Sequence, residues 1–322
     1  MFEEIKKSRT KSSKYDVAIG ISGGVDSSYV AYLVKKLGLR PLAVHLDNGW
    51  DSDLAVTNIK NLLEKLKIDL ITNVINWEEF KDLQISFLKS STTDGDIPTD
   101  HAIFATLWKT ADKYDIKYII SGMNYATESM SVTDWSYGHS DWRYIKDIHS
   151  KFGSKKLKTY PHFTPLYLAY ITFIRKIKSI SILNYIDYKK ESAVETLKSE
   201  LNWRPYKGKH HESIYTRFYH GYYLLKKFNV DKRYAHLSDL INAGQMTRKK
   251  ALVEIKKPTY PEEMQKEDLN YVLKKLNLSK EEYQKILNSP NRTFREFKNI
   301  YSIVKLMKKT VNLLRSKNIY PR

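Results

Sequence analysis

The sequence predicts an α/β protein with a parallel, doubly wound sheet, followed by a mainly helical C-terminal region. Short β-rich runs alternate with amphipathic helical patterns over residues 15–120. A turn rich in glycine and serine joins the first β-rich run directly to the first helical pattern. Beyond residue 188 the pattern is helical almost to the end. With 322 residues, of which 42% are hydrophobic, the chain can bury the core that this fold requires.

The β-rich runs and helical patterns follow one another in a regular order. Strands are predicted at 15–21, 41–47, 69–75, 117–120 and 180–186. Helices are predicted between them at 28–38, 53–66 and 103–114. The second of these helices carries apolar residues at 54, 55, 59, 62, 63 and 66, which share one face. The third helix follows Pro98, and either Thr99 or Asp100 is expected to cap it.

Changes in pattern divide the chain into three regions. Residues 1–14 are polar and mostly charged, and we expect a flexible basic tail. Residues 15–187 are predicted to form the α/β domain, with an irregular insertion at 131–165. Residues 188–322 are predicted to form a helical region for substrate binding or oligomerisation. Helix starts within that region are predicted at the capping residues Thr247, Ser279 and Thr293.

Charge and cysteine content narrow the classes of function. The chain has 55 Lys and Arg against 36 Asp and Glu, and this net charge of +19 predicts anionic partners. The absence of cysteine excludes disulfide scaffolds, cysteine-ligated zinc, iron–sulfur clusters and a thiolate nucleophile. The longest apolar run, 165–174, is too short to span a bilayer. We expect a cytoplasmic protein, with the alternative that the apolar, basic stretch 167–178 lies on the inner membrane face.

The turn SGGVDSS, at 22–28, predicts an anion-binding site. Gly23 and Gly24 let backbone N–H groups face an anion at the N-terminus of the following helix. Asp26 would repel a phosphate, but it becomes a ligand when Mg²⁺ lies between them. The hydroxyls that can donate to phosphate oxygens are those of Ser22, Ser27 and Ser28. The alternative is a plain strand–turn–helix connection in which serine and aspartate cap the helix.

This turn resembles the pyrophosphate-binding loop of the N-type ATP pyrophosphatases, which include GMP, NAD, asparagine and argininosuccinate synthetases and tRNA-lysidine synthetase. The chain has no GxxxxGK[ST] sequence, so a Walker-A site is excluded. The resemblance implies a PP-loop fold with the loop after the first strand. It implies cleavage of ATP between its α- and β-phosphates, with adenylation of an oxygen on the substrate.

The same resemblance implies further site residues. The second strand of this family contacts the adenine of ATP, which implies His45, Leu46 and Asp47. The stretch SGMNYATE, at 121–128, is similar to the family's G-x-N-x-x-x-E stretch beside the metal and phosphates. It implies that Gly122 binds ATP, that Asn124 binds substrate and that Glu128 joins Asp26 as a metal ligand. An ordinary acidic helix start is an equally good interpretation of Glu128.

Six further blocks resemble the bacterial N-acetyl sugar amidotransferases of lipopolysaccharide and flagellin sugar biosynthesis, over about residues 15–256. They lie at 47–59, 96–103, 118–124, 182–188, 207–224 and 231–248. The resemblance implies ATP and Mg²⁺ as cofactors and a nucleotide-linked N-acetyl sugar as substrate. It also implies separate glutaminase and cyclase-like subunits that supply ammonia, and no stable nucleic-acid partner, while a homo-oligomer remains open. Many relatives carry cysteines, and nothing those cysteines do carries over to this chain.

Polar clusters outside the loop supply the remaining candidates. Lys207 and Lys209 are predicted catalytic cations, because the loop itself holds none. The predicted substrate-binding residues are Asp100, His101, His210, His211, Glu212, Arg217 and Arg233. Each has a structural alternative: a solvated basic helix start for 207–217, a cap and first-turn residue for 100–101, and a surface charge run for 231–233.

Two enzymatic hypotheses remain. The first is ATP-dependent amidation of a nucleotide-linked N-acetyl sugar, in which AMP activates the acetamido oxygen for displacement by ammonia. The second is tRNA modification of the lysidine-synthetase type, which uses the same activation and would account for the net charge of +19. A non-enzymatic nucleotide-binding module is disfavoured because the residues of the 22–28 turn are intact.

Overall fold

A parallel five-stranded sheet forms the centre of the protein, as the sequence predicts. The computed structural model describes residues 2–7, 14–130, 132 and 135–306. The strands are Val17–Gly20 (β1), Pro41–Asp47 (β2), Asp69–Val74 (β3), Tyr118–Ser121 (β4) and Lys178–Ser181 (β5). Their order is β3-β2-β1-β4-β5, and every neighbouring pair is parallel. The order reverses at β1, between β2 and β4, so ligands are expected beyond the carboxyl ends of these three strands.

Helices cover the sheet and then continue into the C-terminal region. Those up to β5 are Phe2–Lys7 (α1), Val25–Lys36 (α2), Asp53–Leu66 (α3), Trp77–Ser90 (α4), Ile97–Lys113 (α5), Tyr125–Glu128 (α6), Trp142–Phe152 (α7) and Pro165–Ala169 (α8). Those after β5 are Lys190–Leu201 (α9), Ile214–Phe218 (α10), Leu224–Phe228 (α11), Arg233–Asn242 (α12), Arg248–Ile255 (α13), Glu262–Leu276 (α14) and Lys280–Asn288 (α15). Tyr219–Tyr223 forms a π-helical turn that joins α10 to α11. None of the helices in the described part of the chain is long and apolar enough to cross a membrane.

How deeply each strand is buried depends on its position in the sheet. Val17, Ala18 and Ile19 of β1 are completely buried, because helices cover both faces of the central strand. β3 is the edge strand on one side, and it alternates between exposed and half-buried residues. The 41–47 strand and the 53–66 helix have the bounds that the sequence predicts.

Three predicted features differ in the structure. The α5 helix begins six residues before 103, at Ile97, because Pro98 fits the first turn of a helix without losing a hydrogen bond. Asp96 is its N-cap residue, so neither Thr99 nor Asp100 caps it. The fifth strand is shorter than predicted and gives way to a 3₁₀ turn at Ile182–Tyr185.

Two segments predicted without regular structure contain helices. Within the predicted tail, Phe2–Lys7 forms α1 and buries Ile5, whereas residues 1 and 8–13 lie outside the described residues. The 131–165 insertion contains α7, whose buried face includes Tyr144 and Ile148. Frequent Trp, His and Gly residues on either side obscure its helical period. The capping predictions at Thr247 and Ser279 are confirmed, whereas Thr293 begins a 3₁₀ turn.

A continuous core crosses the domain boundary that we predicted near residue 188. Leu197 and Trp203 lie in the same buried cluster as Val30 and Val34 of α2 and Ile59 of α3. The boundary stays a prediction, but α9 packs as part of the α/β layer.

Shortening the side chain of Leu197 tests whether the residues beyond 188 fold separately. Leu197 is 0% exposed, so Leu197→Ala should lower the free energy of unfolding by about 2–5 kcal/mol. Denaturant titration followed by circular dichroism should show one transition that moves as a whole. Leu252 is 51% exposed, and the control Leu252→Ala should change stability by less than about 0.5 kcal/mol. Two transitions, of which Leu197→Ala moves only one, would contradict this expectation.

Candidate active site

The loop between β1 and α2 is held in an open shape by its neighbours. Gly23 has a φ of 78°, and a Cβ atom there would lie 2.8 Å from the carbonyl oxygen of Ala55. The carbonyl oxygen of Gly23 accepts hydrogen bonds from Trp203 Nε1 at 2.9 Å and from the Tyr206 hydroxyl at 3.1 Å. Only glycine fits this position, and the contacts fix the turn that precedes α2.

Two of the three candidate hydroxyls lie within this loop. The hydroxyl of Ser27 donates to the carbonyl oxygen of Gly24 at 3.2 Å and accepts from the N–H of Ser22 at 3.3 Å. The N–H of Gly24 donates to the hydroxyl of Ser22 at 3.3 Å. Ser28 differs from the prediction: its side chain is completely buried and lines neither of the cavities described below.

The loop lines a cavity of about 450 Å³, which we call the phosphate-loop cavity. Its walls are the loop, the end of β4 and the segment 203–212. Its lining includes Ser22, Gly24, Asp26, Ser27, Gly122, Glu128, Lys190, Lys207, Lys209, His210 and Glu212. The structure therefore brings together the two predicted lysines and the loop that lacks a cation. Lys190, at the start of α9, is a cation that sequence reasoning missed, since nothing around it forms a motif.

Asp26 and Glu128 are two of the three carboxylates that line this cavity, and Glu212 is the third. Asp26 accepts a hydrogen bond from the Tyr188 hydroxyl, and Glu128 lies 3.5 Å from Lys209 Nζ. Burial raises the pKa of Asp26, and the negative charge of Glu128 adds to this rise although the hydrogen bond from Tyr188 opposes it. A cation between these carboxylates would relieve both effects. In proteins Mg²⁺ is commonly held by one or two carboxylates together with phosphate oxygens, and this pair fits that pattern.

The described residues contain no group of three or more His, Asp or Glu that could hold a metal ion by themselves. A metal at Asp26 and Glu128 would therefore need phosphate oxygens to complete its ligands. Lys209 is already oriented toward the same place, because its Nζ donates to the carbonyl oxygen of Thr127 at 2.9 Å.

A second cavity of about 410 Å³, the inner chamber, adjoins the first. The residues that line both are Ser22, Ser121, Gly122, Met123, Glu128, His210 and Glu212. At Gly122, a Cβ atom would lie 3.1 Å from the backbone of Asp26 and Ser27, so glycine lets the end of β4 approach the loop. The two cavities thus meet at the carboxyl ends of β1 and β4, where the strand order predicts a ligand crevice.

The end of β2 forms one wall of the inner chamber. His45 and Leu46 line it, whereas Asp47 lies outside and accepts from the N–H of Gly49 at 2.9 Å. The ring nitrogens of His45 lie 2.8 Å from the carbonyl oxygen of Ile21 and 2.9 Å from a carboxylate oxygen of Asp51. Burial opposes protonation, but Asp51 outweighs it and raises the pKa of His45. Both neighbours are acceptors, so a doubly protonated ring satisfies them.

Another wall of the inner chamber contains a cluster of polar side chains that the sequence did not reveal. His220 Nε2 lies 2.6 Å from a carboxylate oxygen of Asp96 and 3.1 Å from Lys232 Nζ. The preceding residue, Tyr219, accepts from the N–H of Gly95 at 2.8 Å through its hydroxyl. Neighbouring residues of the π-helical turn therefore hold the start of α5. These groups come from distant parts of the chain and share no local motif, so only the fold unites them.

Two predicted substrate-binding residues, His101 and Asn124, lie next to the site, and their side chains make contacts within the protein. His101 does not line either cavity: its ring stacks on Phe163 at 4.2 Å, and its Nε2 accepts from the N–H of that residue. Burial lowers the pKa of His101 to about 4, so the ring is neutral at physiological pH. Asn124 caps α6 by accepting from the N–H of Thr127 at 3.0 Å. It orients the helix that carries Glu128 and lines neither cavity.

Three more predicted residues lie away from both cavities. Arg217 makes two hydrogen bonds to the buried carboxylate of Asp268, at 2.8 and 2.6 Å. Arg233 pairs in the same way with Asp231 and donates to three backbone carbonyls around residues 255–258. His211 is buried beneath the backbone of Gly208. Their donors and rings are used in packing and pairing. His210 and Glu212 are the members of this predicted group that line both cavities.

Comparisons with known proteins give different family matches at the two ends of the chain. Residues 1–128 match the family model for NAD synthase, and residues 212–311 match the model described as LPS biosynthesis protein WbpG-like, C-terminal domain. The tRNA-specific 2-thiouridylase MnmA 2 of Fusobacterium nucleatum is 30% identical over 142 residues, or 42% of this chain and 39% of that protein. The probable mitochondrial tRNA-specific 2-thiouridylase 1 of Caenorhabditis elegans is 32% identical over 127 residues, or 34% and 33%.

The chain thus spans between a third and two fifths of the length of these relatives. Among solved structures, NMN synthetase from Francisella tularensis is 15% identical and covers 90% of this chain and 97% of its own. Its TM-score of 0.35 is too low to carry an argument. The family matches, the parallel sheet and the glycine loop after β1 agree with one another. The chain accordingly has a fold of the PP-loop ATP pyrophosphatase type, in which residues 1–128 are similar to NAD synthase and residues 212–311 to the WbpG-like C-terminal domain.

Proposed function

We propose that this protein is an AMP-forming amidotransferase that acts on a nucleotide-linked N-acetyl sugar. The observation that carries the proposal is that the phosphate-loop cavity adjoins the inner chamber, whose walls bear carboxylates and imidazoles. One space suits the phosphates of ATP, and the other provides polar groups for a second, hydroxyl-rich substrate. The match of residues 212–311 to a lipopolysaccharide-biosynthesis domain supports a sugar as that substrate.

The chain's own groups bind ATP through backbone and cations. N–H groups of the loop and the start of α2 face the β- and γ-phosphates, while Lys190, Lys207 and Lys209 balance their charge. The adenine would lie against Leu46 at the end of β2, so the inner chamber would take the adenine as well as part of the second substrate. Asp26 and Glu128 would hold Mg²⁺, which would supply positive charge to balance the departing pyrophosphate.

The chemistry needs positioning more than a side-chain nucleophile. An acetamido oxygen is a poor leaving group, so it first attacks the α-phosphorus of ATP and the bond to pyrophosphate breaks. Ammonia then adds to the activated carbon, and the carbon–oxygen bond breaks as AMP leaves with its electrons. The product is an acetamidino sugar. His210 and Glu212 lie where the two cavities meet and are placed to orient the acetamido group.

The nitrogen comes from other proteins in this proposal. Cysteine-dependent glutaminases use a thiolate to take the amide of glutamine, and these 322 residues contain no cysteine. Separate glutaminase and cyclase-like subunits therefore supply ammonia. The reaction takes place in the cytoplasm, where nucleotide-linked sugars and ATP are available.

A second candidate is the modification of a tRNA base through the same adenylation. The two thiouridylase relatives and the net charge of +19 favour it. Relay of sulfur through a thiolate is not open to a chain without cysteine, so a nitrogen nucleophile, as in lysidine formation, is the version that fits.

Substitutions in the loop test the ATP site. Asp26→Ala should lower Mg²⁺-dependent formation of AMP and pyrophosphate by about 100-fold or more, because a buried metal ligand is lost. Ser22→Ala should lower it by about tenfold. Chromatography of the nucleotides measures both. Ser28→Ala is the matched control in the same loop and should retain activity, since its hydroxyl is buried away from the cavities. Release of ADP and orthophosphate by the unaltered protein would contradict the reaction type.

Charge removal on the 203–212 segment tests the cations. Lys209→Ala should weaken ATP binding by about 10- to 100-fold, because Lys209 is half-buried beside Glu128. Lys207 is exposed, so Lys207→Ala should have a smaller effect, about fivefold. Isothermal titration calorimetry gives both affinities. The control is Lys226→Ala, an exposed lysine on α11. Equal ATP affinities in the unaltered protein and the three variants would mean that these lysines do not bind ATP and that the segment is a solvated surface.

The source of nitrogen distinguishes the two candidate functions. The purified chain should convert a UDP-linked N-acetyl sugar to its amidino form with high ammonium salt and fail with glutamine. Mass spectrometry should show one oxygen replaced by NH, together with one AMP for each product. Glutamine should become effective only when a glutaminase partner is added. Efficient use of glutamine by the chain alone would reject the partner proposal, and AMP release that requires tRNA would favour the second candidate.

A further inference from the structure

The C-terminal end of α12 is closed by a turn at a glycine. Gly244 has a φ of 68°, and its N–H donates to the carbonyl oxygen of Ile241 at 3.0 Å. The next N–H, that of Gln245, donates to the carbonyl oxygen of Leu240 at 2.8 Å. This pair of bonds forms a Schellman motif, in which a glycine in the left-handed conformation ends a helix. The motif fixes the backbone that carries the side chain of Gln245.

The side chain of Gln245 bridges two points of the chain at the start of α9. Its Nε2 donates to the carbonyl oxygen of Tyr188 at 2.8 Å, and its Oε1 accepts from the N–H of Lys190 at 3.2 Å. The hydroxyl of Tyr188 donates to Asp26, and Lys190 lines the phosphate-loop cavity. An amide suits this position because it carries a donor and an acceptor side by side. Gln245 therefore holds the tyrosine that contacts one of the two proposed metal ligands.

The same helix is also bonded to the chain beside the other proposed ligand. Asp239 of α12 is 1% exposed, and one of its carboxylate oxygens accepts from the hydroxyl of Ser129 at 2.5 Å. That oxygen also accepts from the N–H of Met130 at 2.8 Å. Both donors directly follow Glu128, which is the last residue of α6. Asp239 therefore fixes the chain at the end of the helix that carries Glu128.

Asp26 and Glu128 lie on different helices, α2 and α6, and α12 is bonded to the chain beside each of them. We propose that the C-terminal end of α12 positions these two carboxylates for the metal ion that accompanies ATP. Gln245 acts on Asp26 through Tyr188, and Asp239 acts on Glu128 through the two residues that follow it. The inference rests on the ATP and metal binding of the proposed function and is independent of the sugar. Partners of this kind, which orient metal ligands, commonly change metal affinity when they are replaced.

This arrangement joins the two segments that match different families. The proposed metal ligands lie within residues 1–128, whereas α12 lies within residues 212–311. The competing role for Gln245 is structural, in which its bonds only attach the second segment to the first. Gln245 is half-buried in the wall of a groove of about 1030 Å³, so loss of its amide should cost little folding stability. Metal binding measured beside thermal stability therefore separates the two roles.

Gln245→Met tests the proposal because it keeps the length of the side chain and removes both hydrogen bonds. Mn²⁺ replaces Mg²⁺, α,β-methylene-ATP replaces ATP so that no cleavage occurs, and electron paramagnetic resonance measures bound Mn²⁺. We expect the dissociation constant of Mn²⁺ to rise about tenfold, while the Tm changes by less than about 3 °C. Gln265→Met is the matched control, because Gln265 Nε2 donates to the carbonyl oxygen of Tyr260 at 2.8 Å and lines neither cavity. It should bind Mn²⁺ as the unaltered protein does.

A double variant tests whether Gln245 acts through Tyr188. Tyr188→Phe should weaken Mn²⁺ binding about tenfold, and its combination with Gln245→Met should weaken it no further, because both changes interrupt one route. On the other side of the site, Asp239→Ala should also raise the dissociation constant about tenfold. Ser129→Ala covers the case in which Asp239→Ala does not fold. It leaves the N–H of Met130 in place, so we expect a rise of about threefold.

Three results would overturn the inference. They are unchanged Mn²⁺ binding by Gln245→Met, a loss in the double variant equal to the product of the two single losses, and unchanged Mn²⁺ binding by Ser129→Ala. Failure of the proposed function has different signatures. If the unaltered protein bound neither the ATP analogue nor Mn²⁺ with it, the ATP site and this inference would both be rejected. If it bound both but made no amidino sugar, only the sugar proposal would fail.

Discussion

The hydrogen bonds that converge on the carbonyl oxygen of Gly23 are the constraint on which the site depends. Trp203 and Tyr206 donate to it, and Asn58 of α3 fixes the same segment through the backbone of Arg204 at 2.8 and 2.9 Å. The phosphate loop and residues 203–212 are therefore one assembly, although they lie far apart in sequence. Without these bonds the lysines that follow Tyr206 would have no fixed place above the loop.

The same assembly separates opposite charges within a small space. Lysines and Asp26 line the phosphate-loop cavity, Glu128 and Glu212 lie at the junction, and Asp96 and Asp100 line the inner chamber. A triphosphate would meet the first group, whereas a cation or a hydroxyl-rich molecule would find its partners in the last. The net charge of +19 does not describe this arrangement, because the inner chamber is locally acidic.

Features determined locally were predictable from the sequence. Alternation of strands and helices, glycine in the loop and the caps at Thr247 and Ser279 each depend on a few neighbouring residues, and all were predicted. The pairing of Arg217 with Asp268 and of Arg233 with Asp231 was not predicted, because a free guanidinium and one paired with a carboxylate have the same local sequence. The contact of Asp96 with His220 was missed since tertiary packing alone creates it. Asp100 was predicted from its place after a strand, and the fold places it in the lining of the inner chamber.

The π-helical turn Tyr219–Tyr223 has a consequence for how this chain tolerates change in length. Such a turn holds one residue more than an α-helical turn, as if a single residue had been inserted into a regular helix. Removing one residue would leave a helix of good propensity, but every side chain on one side of the deletion would rotate by about 100° relative to the other. Tyr219 could then no longer contact Gly95 while His220 contacts Asp96. Homologous helices of different length at this point are therefore expected to carry different chemistry in the chamber.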